Sequence, residues 1–188
     1  MKIAVLTVPG LYGSGPEHWQ TRWERRFDGM RRVEQDEWRT PHARDWIARL
    51  DREVRRHGPE LVLVGHSLAC CLIAMWAATA AAEAARGVCG ALLVAPTDTE
   101  AGTFPAGPLG FAPMPARPLP FASIVLMSRD DRFVSIERGS GFARAWGSEL
   151  VLLPEGGHLS ADNGLGDWPA GLAQLRRLLG AGTPGFGA

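Results

Sequence analysis

Lysine, cysteine and net charge are scarce in this sequence. Only one of its 20 basic residues, Lys2, is a lysine, and 20 acidic residues bring the formal charge to zero. A chain without excess charge carries no general field to draw in a polyanion, which argues against nucleic acid as the main partner and leaves a small or neutral ligand. The arginine bias reflects the base composition of the gene and carries no functional message. Cys70, Cys71 and Cys89 make an odd count, with no CxxC spacing and no histidine in metal-ligand register. A disulfide framework is set aside, and buried free thiols are expected. Only six apolar or small residues separate Lys2 from Pro9, short of the roughly seven to fifteen that the apolar core of a secretion signal needs. A cytoplasmic protein is therefore expected. The stretch 61–82 is apolar enough to imitate a membrane span of about 20 residues, but Gly65-His66-Ser67 divides it into a strand and a helix. No membrane helix is expected.

What the chain does have is the length and apolar content of one globular domain: 188 residues, 46% hydrophobic, enough to bury roughly 70% of the unfolded surface without metal or disulfide staples. Apolar runs of five to seven residues alternate with longer helix-compatible stretches, the signature of a parallel sheet covered on both faces. The fold class is α/β. Strands are predicted at 2–8, weakly at 33–38, and at 61–64, 88–95, 123–127 and 149–153, about six in all. Helices are predicted at 18–26, 43–57, 68–85, 136–146 and 168–179. In the second of these, Trp46, Ile47, Leu50 and Val54 share one face while Arg44, Arg49, Arg52 and Arg56 lie elsewhere, so its arginines form a solvated face. Residues 102–120 hold nine Gly or Pro in nineteen, interleaved with Phe104, Leu109, Phe111 and Met114. Such a segment is neither helix nor central strand, and a loop this long reads as a lid or substrate wall. The domain is expected to span 1–180, with a flexible Gly-rich tail at 181–188.

The chemistry is concentrated in Leu61-Val62-Leu63-Val64-Gly65-His66-Ser67-Leu68-Ala69, an apolar strand running through G-x-S-x-A into a long helix. That context makes it a nucleophile elbow: a sharp strand-to-helix turn lifts the Ser67 hydroxyl clear of the sheet, and the helix supplies free backbone N–H groups beside it. Serine at its free pKa is a poor nucleophile, so a base and a group to orient that base must follow. Of the histidines at 18, 42, 57, 66 and 158, only His158 follows Ser67 by more than a turn, in the Gly-rich loop Glu155-Gly156-Gly157-His158 after the last strand. Asp131, Asp130 and Asp98 all follow strands and are candidates for the acid. Asp131 is preferred, because Phe133-Val134 two residues on can anchor its turn under the histidine. The oxyanion of a tetrahedral intermediate would be held by backbone N–H groups, that of Leu68 and one from the loop Val8-Pro9-Gly10-Leu11-Tyr12-Gly13, with Leu11 the best placed. Leu11, Tyr12, His66, Phe104, Phe111 and Met114 are the candidate pocket residues. His18 is expected to be structural or pocket-lining, with no metal role.

Taken in order, these segments resemble the α/β-hydrolases, and within them the small serine hydrolases related to retinoblastoma-binding protein nine. The resemblance runs nearly full length. It rests on Val8-Pro9-Gly10 with His18-Trp19 and Trp23, on Gly65-His66-Ser67-Leu68, Val94-Ala95-Pro96 and Pro118-Leu119-Pro120-Phe121, and on Ser128-Arg129-Asp130-Asp131 and Gly156-Gly157-His158. It implies a compact hydrolase without a large cap domain, a Ser67, Asp131, His158 triad and activity on small esters; the leading expectation is a serine hydrolase that needs no cofactor. Two positions depart from the pattern: Ala69 stands where glycine is usual, and Arg132 where proline is frequent. Neither removes a reacting group. Thioesters and short amides are neighbouring substrate classes. The alternatives are a binding protein that kept the scaffold and lost turnover, and an acyltransferase using the same residues.

Overall fold

The computed structural model describes residues 3–80 and 82–180; the expected tail at 181–188 and the start of the first predicted strand at Lys2 lie outside them. Six strands form one sheet: β1 (Ala4–Val8), β2 (Met30–Arg32), β3 (Leu61–His66), β4 (Val88–Val94), β5 (Ala122–Ser128) and β6 (Glu149–Leu153). Their order is β2-β1-β3-β4-β5-β6 and every pairing is parallel. The α-helices among the described residues are α1 (Trp19–Arg26), α2 (Ala43–His57), α3 (Leu68–Thr79), α4 (Ala82–Arg86), α5 (Ile136–Trp146) and α6 (Pro169–Leu179). The architecture is that of an α/β-hydrolase in a single small domain, with no large cap among the described residues. Nor is any helix among them long and apolar enough to cross a membrane.

The continuous apolar runs follow from burial on both faces of the sheet. Alternate residues serve two cores. Leu6, Leu63, Leu93, Val125 and Met127 meet Trp46, Leu50 and Val54 of α2, Trp76 of α3, and Phe142 and Trp146 of α5. Val5, Val62, Val64, Leu92 and Leu126 meet Trp19 and Trp23 of α1 and Leu172, Leu175 and Leu179 of α6. Trp19, Trp23 and Trp168 pack with centroid separations of 4.6 to 6.2 Å, each burying a large apolar area against the others.

Three expectations need correction. The second strand is Met30–Arg32, earlier than the predicted 33–38. Met30 faces one core and Val33 the other, and the ladder ends where the Val33 N–H reaches Thr7 O at 2.9 Å; Glu34, Asp36 and Glu37 beyond it have no buried face to fill. The single helix predicted over 68–85 is two, because Ala80 caps α3 with an extended ψ of 144°. Twelve residues at 1.5 Å each give about 18 Å, close to the length of the β3 strand that α3 covers, so a straight continuation would leave the sheet. Cys70 and Cys71 are buried, but Cys89 is exposed. Leu61 and Val62 pair with Val88 and Gly90, leaving Cys89 as the extra residue of a bulge, turned away from the core.

Candidate active site

All six strands end on one edge, and the chain leaves β1 toward β2 but returns on β1's other side as β3. A crevice therefore opens where the direction of winding reverses, at the C-terminal ends of β1 and β3. Ser67 stands there. Its backbone holds φ 59° and ψ −123° between the last residue of β3 and the first of α3, a conformation that costs of order 1–3 kcal/mol for a residue other than glycine. The turn is held by its N–H to Val94 O at 2.9 Å and by close packing from the first loop. A Cβ on Gly10 would lie 2.6 Å from His66 O, 2.9 Å from Ser67 Cβ and 3.2 Å from Leu68 N, so glycine there lets the chain turn in beside the elbow. The Gly10–Gly13 turn, with Gly13 N–H to Gly10 O at 3.0 Å, presents Leu11 to the same crevice. Leu68, as the first residue of α3, has a backbone N–H outside the helical ladder. Ala69, where glycine is usual, is accommodated fully buried.

The histidine on the far loop reaches this serine. His158 Nε2 is 2.8 Å from Ser67 Oγ, and its Nδ1 is 2.9 and 3.1 Å from the two oxygens of Asp131. The Asp131 side chain is 0% exposed and also accepts the Phe133 N–H at 2.9 Å. The Phe133 ring packs on the imidazole at 4.5 Å. Asp130 and Asp98 do something else. Asp130 accepts the Gly157 N–H at 2.9 Å, which pulls its pKa down and fastens the histidine loop. Asp98 turns to a two-pronged pair with Arg138 at 2.8 Å, the main cause of its lowered pKa.

The loop is secured at successive residues, which fixes the orientation of the imidazole. The Ser128 hydroxyl donates to Gly157 O. His66 Nε2–H donates to His158 O at 2.9 Å, and Trp19 Nε1–H to Leu159 O, also at 2.9 Å. Asn163 closes a capping box with Ser160, and a Cβ on Gly157 would meet the Asn163 amide at 2.3 Å. Trp19 of the His18-Trp19 pair thus joins the start of α1 to the loop carrying His158.

A cavity of about 630 Å³ opens over Ser67. Leu11, Tyr12, His66, Leu68 and Phe104 line it, with Tyr12 at the mouth, 66% exposed. Phe111 and Met114 do not. They are 2% and 7% exposed within the core that α2, α3 and α5 cover, where Phe111 packs edge-to-face on Trp46 at 5.6 Å. The 102–120 loop is therefore stapled over most of its length. Leu109 pairs with Pro41 and Ala43, Phe111 O accepts from Cys71 Sγ and Thr99 Oγ1, and Pro115 O accepts from Trp146 Nε1 at 2.8 Å. Of this loop, Phe104 and Pro105 form a wall of the cavity. Sequence reasoning missed Thr97, Pro105, Phe133, Ser160 and Asn163 among the lining residues; the S-x-x-N spacing just after His158 was the available signal for the last two.

Burial governs the remaining titratable groups. His66 is pushed well below the ordinary histidine range, and His18 is lowered to about 4, first by burial and then by Arg32 and His158. Both rings are neutral near pH 7. Burial drives the Cys70 thiol up and that of Cys71 to about 12, so neither offers a thiolate. Among the described residues no group of three or more His, Cys, Asp or Glu side chains is gathered to hold a metal ion.

The serine hydrolase family profile matches residues 5–177. The solved structure of a YdeN-like hydrolase from Pectobacterium atrosepticum is 31% identical, with a TM-score of 0.81 over 95% of this chain and 91% of that one. The ydeN gene product of B. subtilis is similar at 19% identity and a TM-score of 0.69, covering 94% of this chain and 98% of that one. An esterase domain from Rhodothermus marinus shares the fold at 16% identity and a TM-score of 0.59, over 95% and 88% of the two chains. A search among curated proteins finds no match. A profile that runs from β1 into α6, on a fold whose elbow carries Ser67, leaves one assignment: the chain belongs to the serine hydrolase family, within the α/β-hydrolases.

Proposed function

We propose that the protein is a cofactor-free serine esterase acting on small carboxylic esters through a covalent acyl-enzyme. The observation that carries this reading is the line of hydrogen bonds from Ser67 Oγ to His158 Nε2 at 2.8 Å and from His158 Nδ1 to Asp131 at 2.9 Å. His158 takes the Ser67 proton as Oγ attacks the ester carbonyl, and the Leu11 and Leu68 N–H groups receive the oxyanion. The imidazolium then protonates the departing alkoxide as the C–O bond breaks. Water, deprotonated by the same imidazole, attacks the acyl group, and Ser67 leaves with its proton restored. Asp131 keeps the Nδ1–H tautomer throughout. Leu11, Tyr12, Phe104 and Pro105 make an apolar wall, and the cavity volume suits a small organic ester. Free thiols accord with a cytoplasmic setting.

Fluorophosphonate labelling tests the nucleophile, and a short p-nitrophenyl ester series ranks the pocket. Ser67→Ala should abolish labelling and lower kcat on the order of 10⁶-fold, by the precedent of subtilisin, with its thermal melt retained. Undiminished labelling would remove Ser67 from the role. Product analysis with a competing alcohol separates hydrolysis from acyl transfer.

A further inference from the structure

His18 begins α1 as its N-cap, with an extended backbone and its Nδ1 accepting the Gln20 N–H at 3.2 Å. A nitrogen that accepts carries no proton, so the proton of the neutral ring is on Nε2. That Nε2 is buried and, among the described residues, has no hydrogen-bond partner. The residue is only 5% exposed, yet it lines the cavity over Ser67. Its ring meets His66 edge-to-face at 4.7 Å, and His66 is the residue immediately before the serine.

Capping alone does not explain a histidine here. Ser accepts the same N–H through its one hydroxyl, with a shorter side chain and no second polar atom to satisfy. A buried donor without a partner is disfavoured by desolvation and is rare in folded proteins. His18 lines the cavity wall while its Nε2 is closed to solvent, so the partner arrives with a ligand that draws the ring toward the cavity. Burial beside Arg32 and His158 keeps the ring uncharged, so it suits an uncharged oxygen and has no particular attraction for a carboxylate.

We propose that His18 is a specificity-determining residue whose Nε2–H donates to a second, uncharged oxygen on the substrate, so that the site prefers esters carrying an ether, hydroxyl or carbonyl oxygen close to the scissile bond. This rests on the esterase reading of the same site and deepens it. The probes are p-nitrophenyl methoxyacetate and p-nitrophenyl butyrate, whose acyl chains match in length and differ by one oxygen for one methylene. Comparing each variant's ratio of kcat/KM values with that of wild type cancels the intrinsic reactivity of the two esters. His18→Asn retains an acceptor at the place of Nδ1 and removes the donor at Nε2; His18→Gln places an amide N–H near Nε2 and removes the cap.

The expected result is that His18→Asn lowers the methoxyacetate-to-butyrate ratio about five- to tenfold, the size of one neutral hydrogen bond. His18→Gln should restore most of that ratio even where its thermal melt is lower. A ratio unchanged in His18→Asn overturns the inference, and so does an equal loss of ratio in both variants, which would mark a structural role. Fluorophosphonate labelling of each variant reports Ser67 independently. A wild type that is labelled and turns over both esters, with a ratio insensitive to residue 18, refutes the inference alone; one that is neither labelled nor active overturns the esterase reading as well.

Discussion

Replacing Asp131 by asparagine changes one atom type on a fully buried side chain of the site. Asp131 Oδ1 accepts the Phe133 N–H at 2.9 Å, while Oδ2 is the oxygen nearer His158 Nδ1, also at 2.9 Å. An asparagine that keeps the first bond must place its NH₂ where Oδ2 was, facing a nitrogen that carries a proton. Two donors cannot share that contact, and a fully buried side chain has no water to turn to. The ring resolves the clash by shifting its proton to Nε2, where it points at Ser67 and can no longer accept the serine's proton. Loss of the working tautomer in a triad costs about 10⁴ in kcat, or about 5 kcal/mol. Asp98→Asn and Asp130→Asn provide the contrast. The Asp98 pair with Arg138 is with a guanidinium 44% exposed and contributes at most about 1 kcal/mol to stability. The Asp130→Asn amide keeps an oxygen for the Gly157 N–H, so both variants should stay within about tenfold of wild type. The assay is kcat on a single p-nitrophenyl ester, with thermal melts to verify folding. An Asp131→Asn enzyme within about tenfold of wild type, or an Asp98→Asn enzyme that is the inactive one, would refute the reasoning.

Two further predictions separate the loop's roles and test the buried histidine. Phe104→Ala should shift the preference between short and bulky esters with little change in Tm, whereas Phe111→Ala, from a site 2% exposed in the core, should lose about 3–5 kcal/mol of stability and keep the wild-type preference; ester series and urea titrations decide, and the opposite assignment would return the pocket to Phe111. His18 is held at about 4 in the folded chain against an ordinary 6.5, so the unfolded chain binds the proton more readily and stability present above pH 6.5 is lost as pH falls toward 4. His18→Asn escapes this loss and should gain on the order of 2 kcal/mol on wild type between about pH 7 and pH 5 in urea midpoints; a constant difference across that step would show that the ring takes up its proton in the folded protein.

The fold was readable because strands buried on both faces leave uninterrupted apolar runs that need no partner to be seen. Five of the six strands lie in such runs. The sixth, β2, is an edge strand of Met-Arg-Arg, two of whose three side chains are charged. Its position is set by β1, through Val5 paired with Met30 and Thr7 with Arg32, and by Arg32 reaching Glu24 of α1. Composition favoured Val33 as the start of a strand, whereas pairing made it the end of one. The break at Ala80 was hidden for a similar reason. Residues 77–82 are alanine throughout apart from Thr79, so nothing in their chemistry marks a stop that is imposed by the length of the strand beneath.

At the site, what could be read was whatever chain order and residue chemistry constrain together. A strand, G-x-S-x-A and a helix admit one candidate nucleophile, and only one histidine follows at a distance. The acid was less constrained, because three aspartates stand at strand ends and only the fold shows Asp131 at 2.9 Å from His158 while Asp98 turns to Arg138. Phe104 and Phe111 mark the limit: both are phenylalanines in the same Gly/Pro-rich loop, with apolar and proline neighbours. One lines the cavity and the other packs on Trp46, because the Phe111 carbonyl is taken by Cys71 and Thr99, residues 40 and 12 positions away. His18 divides the same way within one ring. Its Nδ1 is a local cap that the residues on either side could suggest, whereas Nε2 acquires meaning only when β1, β3 and α1 close around the serine.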